Sequence, residues 1–399
     1  MRVLFIVDRI PYPVLGGAAL RNYNLLRRLA AEHEVWLVAF TKNAEQREAV
    51  HHLDDFCAGV EFVEAESQGA LSDLPNFAKY ILRGIPPELR FFASPTLTQK
   101  IQALLARFQF DVIHIDQIYM GLYLETIPPA QRPRTLWGLH DVDFVKYRRI
   151  IQLESKKTRK LRLWLNNHFM YGWEPRQASK FGRCLTVSEM DRQLLLEKNP
   201  KLRIEVIPNG VDAHLFAIRP EVQGQYVLIF VGNMAYLPCA DAVLYFCEQI
   251  LPQIRRAIPN VEFWVVGKDP PEKIQALNGD GIRVTGRVED VRPYYVQSTA
   301  CVVPLRAGGG TRLKILESLA MGRPVVSTSI GCEGLELKDG EHILIADDPA
   351  AFAQQTVRLL KDSSFRQQLA RNGRQAVEAR YDWDVITKKL VDVYREVAA

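Results

Sequence analysis

Short, unbroken apolar runs recur along this chain, with helical spacing between most of them. An unbroken run needs cover on both faces, as a strand has in a parallel sheet flanked by helices. Val3–Val7 is the first and ends in Asp8. A loop with Pro11, Pro13, Gly16 and Gly17 follows; Arg21–Ala31 then carries Leu25, Leu26 and Leu29 at helical spacing, and Glu34–Phe40 is a second strand. That order is a parallel βαβ unit. Further runs suit buried strands at Val60–Val63, Val112–Ile115, Thr135–Leu139, Cys184–Val187 and Glu205–Ile207. The pattern then restarts: Tyr226–Val231, the helix Ala240–Ile254, Val261–Val266 ending in Gly267, then Ile282–Thr285, Ala300–Pro304, Pro324–Ser327 and His342–Ile345. Two α/β sheets in series are the simplest account, with the polar stretch Asp212–Gln225 as linker.

The length agrees, since 399 residues suit two domains, each with its own core. With 48% hydrophobic and 24% charged residues the composition is that of a soluble globular protein. A net charge of +5 fits an anionic substrate or an anionic membrane surface without separating the two, and no nucleic-acid partner is expected. The six cysteines (Cys57, Cys184, Cys239, Cys247, Cys301 and Cys332) form no CxxC pair and no metal-ligand spacing with histidine, so they read as reduced thiols in a reducing, cytoplasmic setting. The apolar start is too short for a signal peptide, and no run of ~18 apolar residues exists to span a bilayer.

Ligands of open parallel sheets bind beyond the carboxyl ends of the strands, which directs attention to the loops there. The richest is Gly308-Gly309-Gly310-Thr311-Arg312-Leu313-Lys314, leading into a helix with Glu317. Glycines let backbone N–H groups approach an anion, and a helix N-terminus supplies donors and a positive dipole end. Thr311 is placed to cap that helix. Arg312 and Lys314 put cations where helices usually prefer acids, which favours a bound phosphate over a plain surface loop. Glu317 can accept two hydrogen bonds from ribose hydroxyls, or lie exposed on a polar face.

This segment resembles the donor site of the retaining family-4 glycosyltransferases, whose architecture is GT-B: two Rossmann-like domains facing across a cleft, with the last helix crossing back to the first. Their motif is Glu, seven residues, Glu, a small-residue helix end, then Gly-x-Pro-Val-Val. Glu317 matches the second glutamate, which the resemblance implies holds the ribose, and Gly322-Arg323-Pro324-Val325-Val326 matches the tail. The first glutamate falls on Gly309, a departure that leaves the donor-sugar contact open. Many relatives also carry Gly-Arg and a following lysine where this chain has Gly232-Asn233 and Pro238; Arg312 and Lys314 are candidates for the missing charge. Ile207-Pro208-Asn209-Gly210-Val211-Asp212, Gly286-Arg287-Val288, Asp339-Gly340-Glu341-His342-Ile343-Leu344 and Tyr381-Asp382-Trp383 extend the resemblance. The implied domains are 1–211 for the acceptor, with the last helix (about 381–399), and 212–380 for the donor. Gly16, Gly17, Gly232, Asn233, Gly267, Gly286, Arg287, Val288, Gly308, Gly309, Gly310, Thr311, Leu313 and Glu317 are the expected donor contacts, and His140, Arg312 and Lys314 the catalytic set.

In the N-terminal half no GxGxxG follows the first strand, so a nicotinamide fingerprint is unsupported. His140-Asp141 ends a strand, and the resemblance places a histidine there near the sugar; His140 can donate to a sugar hydroxyl or position the acceptor. His114-Ile115-Asp116 also ends a strand and is the weaker candidate. The stretch Lys146–Arg162 holds Lys146, Arg148, Arg149, Lys156, Lys157, Arg159, Lys160 and Arg162 against Glu154, beside Leu161, Leu163, Trp164, Leu165, Phe169 and Trp173. It suits either an anionic membrane surface, with a lipid-linked acceptor, or a solvated helix face.

With no Asp-x-Asp carboxylates placed for a metal, the departing diphosphate needs helix-end N–H groups and cations. No cofactor or metal is expected, only a nucleotide-sugar donor, UDP or GDP foremost, and a carbohydrate, glycolipid or small-molecule acceptor. The resemblance implies retention, with the leaving phosphate taking the acceptor proton and no dedicated base. The rivals are a nucleotide-sugar 2-epimerase or phosphorylase on the same scaffold, and a catalytically silent binding subunit. The setting expected is cytoplasmic, with peripheral contact to the inner face of the plasma membrane as an option.

Overall fold

The structure is a computed structural model that describes residues 1–14, 16–41, 50–65, 74–219 and 226–399. Residues 220–225, the end of the expected linker, lie outside them. The described chain divides into two compact units. One comprises Met1–Arg148, Lys156–Pro208 and Ile386–Ala399, the other Arg149–Ser155 and Asn209–Val385. The final helix, Trp383–Ala398, is thus counted almost wholly with the first unit.

The first unit is built on seven parallel strands: β1 (Arg2–Val7), β2 (Glu34–Thr41), β3 (Gly59–Glu64), β4 (Val112–Asp116), β5 (Thr135–Leu139), β6 (Arg183–Thr186) and β7 (Ile204–Val206), in the order β3-β2-β1-β4-β5-β6-β7. Val3 of β1 sits in register between Val35 of β2 and Val112 of β4, and Val3–Val7 are fully buried. The central strands β1, β4 and β5 are buried nearly throughout, as the unbroken runs required, whereas the edge strands β3 and β7 are partly exposed and carry glutamates.

The second unit repeats the plan with six parallel strands: β8 (Val227–Val231), β9 (Glu262–Val266), β10 (Ile282–Val284), β11 (Ala300–Val303), β12 (Val325–Ser327) and β13 (Leu344–Ile345), in the order β10-β9-β8-β11-β12-β13. Both sheets are doubly wound, so two Rossmann-like α/β units in series are what the chain forms.

Two helices differ from expectation. The first begins at Gly17, not Arg21, because Gly16 is its N-cap and Leu20 N closes the opening turn on Gly16 O at 2.9 Å. The helix expected at Ala240–Ile254 runs as Leu237–Tyr245, a π-turn at Phe246–Ile250, and Leu251–Ala257. Pro252 lies just after the π-turn, where its missing N–H breaks the regular ladder.

Candidate functional site

In the second unit the strand order reverses between β8 and β11, so the chain leaving those strands flanks the position where such sheets hold ligands. Gly232 and Asn233 leave β8, Gly267 leaves β9, and Gly286, Arg287 and Val288 follow β10. Gly232 N donates to Val266 O at 3.0 Å, and Gly267 N to Gly286 O at 3.2 Å. Gly267 has φ +139°, and a Cβ there would lie 1.8 Å from Gly232 O. Glycine is compelled at 267, and Gly232, Gly267 and Gly286 bring bare backbone to the three strand ends. Asn233 turns its carboxamide oxygen back to Ala235 N at 3.0 Å. Arg287 is exposed and Val288 half-buried.

Lys314 approaches these strand ends from the helix Leu313–Ala320, which follows β11. Its ammonium lies 3.9 Å over the Phe230 ring, 3.7 Å from Cys239 Sγ, and 3.1 Å from where a Cβ of Gly232 would stand. Glu317 follows three residues later and is half-buried, off the fully exposed face. The Tyr295 hydroxyl is 3.2 Å from Glu317 Oε2 and 3.2 Å from Lys314 O. Burial raises the Glu317 carboxyl, with Tyr295 and Lys314 acting against that rise. Leu313, half-buried, packs on the core of this unit.

Arg312 and Thr311 depart from their expected places. Arg312, not Thr311, is the N-cap, and no side chain caps the helix. The Arg312 guanidinium is buried and donates to Gly309 O and Gly310 O of its own loop, and to Ile330 O at 3.4 Å. The helix therefore starts one residue later than Thr311 would have set it, and the Thr311 hydroxyl is buried without a partner among the described residues.

In the first unit the reversal lies between β1 and β4. Gly16 and Gly17, both exposed, open the helix after β1. His140 follows β5, but both its ring nitrogens already have partners. Nε2 is 2.8 Å from Asp116 Oδ2, and Nδ1 is 2.8 Å from Gln117 Nε2. A sugar hydroxyl at Nδ1 would take the place of the Gln117 amide. Asp116 is wholly buried and 3.5 Å from Nε2 of His114, whose Nδ1 is 2.5 Å from the Tyr394 hydroxyl. Burial would raise Asp116, but His140 and His114 outweigh it and hold the carboxyl well below its ordinary range. A Cβ at Gly138 would stand 2.1 Å from Asp116 Oδ1, so glycine makes room for this carboxylate.

Sequence reasoning ranked His114-Ile115-Asp116 low and missed Gln117, Tyr295, Tyr394 and Gly138. Gln117 is a non-glycine residue at φ +78°, a strained conformation that no local pattern announces. The buried Arg21, also missed, donates to Ile207 O at 2.9 Å and Pro208 O at 2.7 Å.

The basic stretch is two helices, Asp143–Leu153 and Lys157–Ala178, and not one cationic face. Lys146 pairs with Asp141 at 2.9 Å and Asp143 at 2.5 Å. Asp141-Val142-Asp143 is thus an Asp-x-Asp triplet that sequence reading passed over, with both carboxylates on Lys146. Arg149 pairs with Glu333, one contact at 2.8 Å. Lys156, Lys157, Arg159, Lys160 and Arg162 are exposed, together with Leu161 and Trp164.

Comparison with known proteins agrees with this architecture. Residues 15–215 match the profile of Glycosyltransferase Family 4, and residues 225–362 that of Glycosyl transferases group 1. A phosphatidyl-myo-inositol mannosyltransferase of Mycobacterium leprae is 25% identical over 341 residues, covering 82% of this chain and 85% of that protein. An uncharacterized 44.6 kDa protein from the cps region of Klebsiella pneumoniae is 20% identical, covering 96% of each. Among solved structures, sucrose-phosphate synthase of Thermosynechococcus elongatus superposes with a TM-score of 0.70 at 18% identity, covering 100% of this chain and 99% of that one. HepE of Anabaena, in complex with UDP and glucose, superposes with a TM-score of 0.65 at 15% identity over 99% and 100%. These likenesses place the fold among GT-B glycosyltransferases.

Proposed function

The chain belongs to glycosyltransferase family 4, and from that premise we propose that it takes its sugar from a nucleoside diphosphate donor held at the Gly232–Glu317 edge of the second unit. That it is a glycosyltransferase of the GT-B type follows from the family. The observation that carries the donor-site reading is the Lys314 ammonium lying against Gly232 where the strand order reverses. Lys314 supplies one cation for the diphosphate in place of the Arg and Lys that Asn233 and Pro238 replace. Arg312 is excluded from that part by its bonds to the loop carbonyls.

Glu317, with one oxygen on Tyr295, offers its carboxylate to the ribose hydroxyls. The base lies along the glycines of the strand ends toward Gly286 and Val288. The donor is a UDP- or GDP-sugar, and the acceptor a glycan, glycolipid or small molecule. In the reaction the bond from anomeric carbon to phosphate oxygen breaks and the bond to the acceptor oxygen forms on the same face. The acceptor proton goes to the leaving diphosphate, so no side-chain base is assigned. N–H dipoles and Lys314 stabilise the charge that builds on the leaving group.

Calorimetry with UDP, GDP and their sugars tests the reading: the wild type binds at least one, and Lys314→Ala weakens it tenfold or more. Unchanged affinity in that variant removes Lys314 from the site.

One observation favours a lipid-linked acceptor. No helix among the described residues is long and apolar enough to cross a membrane, but Leu161 and Trp164 are 65% and 54% exposed beside the five exposed cations at 156–162. Such a surface suits an anionic bilayer. Flotation with anionic vesicles and not with neutral ones supports it; no flotation with either removes it.

A further inference from the structure

The donor-site reading leaves the buried Arg312 without a task, and its contacts supply one. Its guanidinium bridges the carbonyls of Gly309 and Gly310. In a trans peptide the carbonyl and the following N–H point in opposite directions. Turning the Gly309 carbonyl onto the guanidinium therefore aims the Gly310 N–H away from it. Turning the Gly310 carbonyl aims the Thr311 N–H away likewise. Among the described residues neither N–H has an acceptor. Gly308 and Gly310 take φ +126° and +66°, backbone conformations that glycine supplies, and that of Gly310 lies in the left-handed region found in anion-binding turns. Lys314, three residues after Thr311, lies with its ammonium at the Gly232 turn.

We propose that Arg312 is a positioning residue: it fixes the glycine loop so that the N–H groups of Gly310 and Thr311, rather than its own charge, meet the diphosphate of the donor. This rests on the donor-site reading above. It inverts the expectation from sequence, where Arg312 was one of two cations for the phosphates. A guanidinium is suited to the task because one nitrogen meets both glycine carbonyls while the other lies 3.4 Å from Ile330 O, a planar spread of donors that anchors the loop to a second segment and that a lysine ammonium does not reproduce.

The test is calorimetric binding of UDP, GDP, ADP and dTDP at low and high salt to the wild type, Arg312→Ala, Arg312→Lys and Lys314→Ala. A direct charge contact weakens with salt through screening, whereas orientation of N–H groups does not depend on that charge. The expected result is a tenfold or greater loss in both Arg312 variants, alike within about threefold, with the wild-type salt dependence kept. Lys314→Ala loses affinity and salt dependence together. Full rescue by Arg312→Lys, a salt dependence flattened in Arg312→Ala, or unchanged affinity in both Arg312 variants overturns the proposal while leaving the donor site standing.

Amide exchange of the wild type guards against variants that do not fold. Exchange over 308–314 slows when the diphosphate binds, and an unchanged rate there counts against the proposal. A wild type that binds none of the four nucleotides overturns the donor-site reading, and this inference with it.

Discussion

Asp116 holds an oxygen 2.8 Å from Nε2 of His140, and the carboxylate that does so has no solvent exposure. A buried carboxylate set between two histidines is stable as an anion only while they stay in place. Removing a hydrogen-bond partner of a charged group costs ~1.5–3 kcal/mol. Asp116→Asn is therefore expected to lower the unfolding free energy markedly at pH 7. Because the folded carboxyl is depressed, the unfolded chain binds more protons below about pH 4, and the stabilisation is present above that range and lost as pH falls. Urea unfolding at pH 7 and at pH 3 checks this. A difference between wild type and variant that is as large at pH 3 as at pH 7 contradicts it.

Asp143 behaves in the opposite sense. Burial pushes its carboxyl up to about 6, with Lys146 acting against the rise and Asp141 and Glu88 adding to it. Glu174, which accepts from Asp143 N and Phe144 N at 3.3 Å, is raised well above the carboxylate range, chiefly by burial. A raised acid keeps its proton in the folded state after the unfolded chain has lost it. Its contribution therefore falls as pH rises from about 4 to 6, by roughly 1.4 kcal/mol for each pH unit crossed. The stability difference between wild type and Asp143→Asn, followed by thermal unfolding from pH 4 to 6.5, should decline across that window and level off above it. A flat difference curve would show that Asp143 titrates normally.

Glu317 and Tyr295 define a third expectation, which concerns ribose. Glu317→Gln should weaken nucleoside diphosphate binding by about 10–100-fold, the ~1.5–3 kcal/mol of a hydrogen bond to a charged group. Tyr295→Phe should show a smaller loss, since it removes only the hydroxyl that orients the carboxylate. The wild type should prefer a ribonucleotide to its deoxyribose counterpart, and Glu317→Gln should abolish that preference. Equal discrimination in wild type and variant would take Glu317 away from the sugar.

Gly267→Ala tests the strand-end glycines themselves. The added Cβ would stand 1.8 Å from a backbone oxygen, and φ +139° is strained for any side chain. The backbone of β8 or β9 must shift, with an expected loss of at least ~3 kcal/mol, or roughly 6–12 °C in the melting temperature of a domain this size. Gly340→Ala is the control, because no atom lies within 4 Å of its Cβ position although its φ is +70°. Equal melting of the two variants would show that the close approach to Gly232 is not what demands glycine.

How far the sequence reached is clearest at two histidines and two cations. Strands were legible because burial on both faces writes an apolar run, as in β1, β8 and β11, while the edge strands β3, β7 and β10 keep charged residues among their apolar ones. The glycine loop, Lys314 and Glu317 were legible because their chemistry is local: a loop after a strand, a helix start, a carboxylate one turn further on. Which nitrogen of His140 faces Asp116, and that His114 meets Tyr394 from 280 residues away, is fixed by strand order and by where the last helix lies. Neither leaves a mark on neighbouring residues. Arg312 and Lys314 look equivalent in sequence, two positive charges on one helix start. Only the folded loop separates them, because a side chain's charge is local but its direction is set by the carbonyls and rings that tertiary packing brings within its reach.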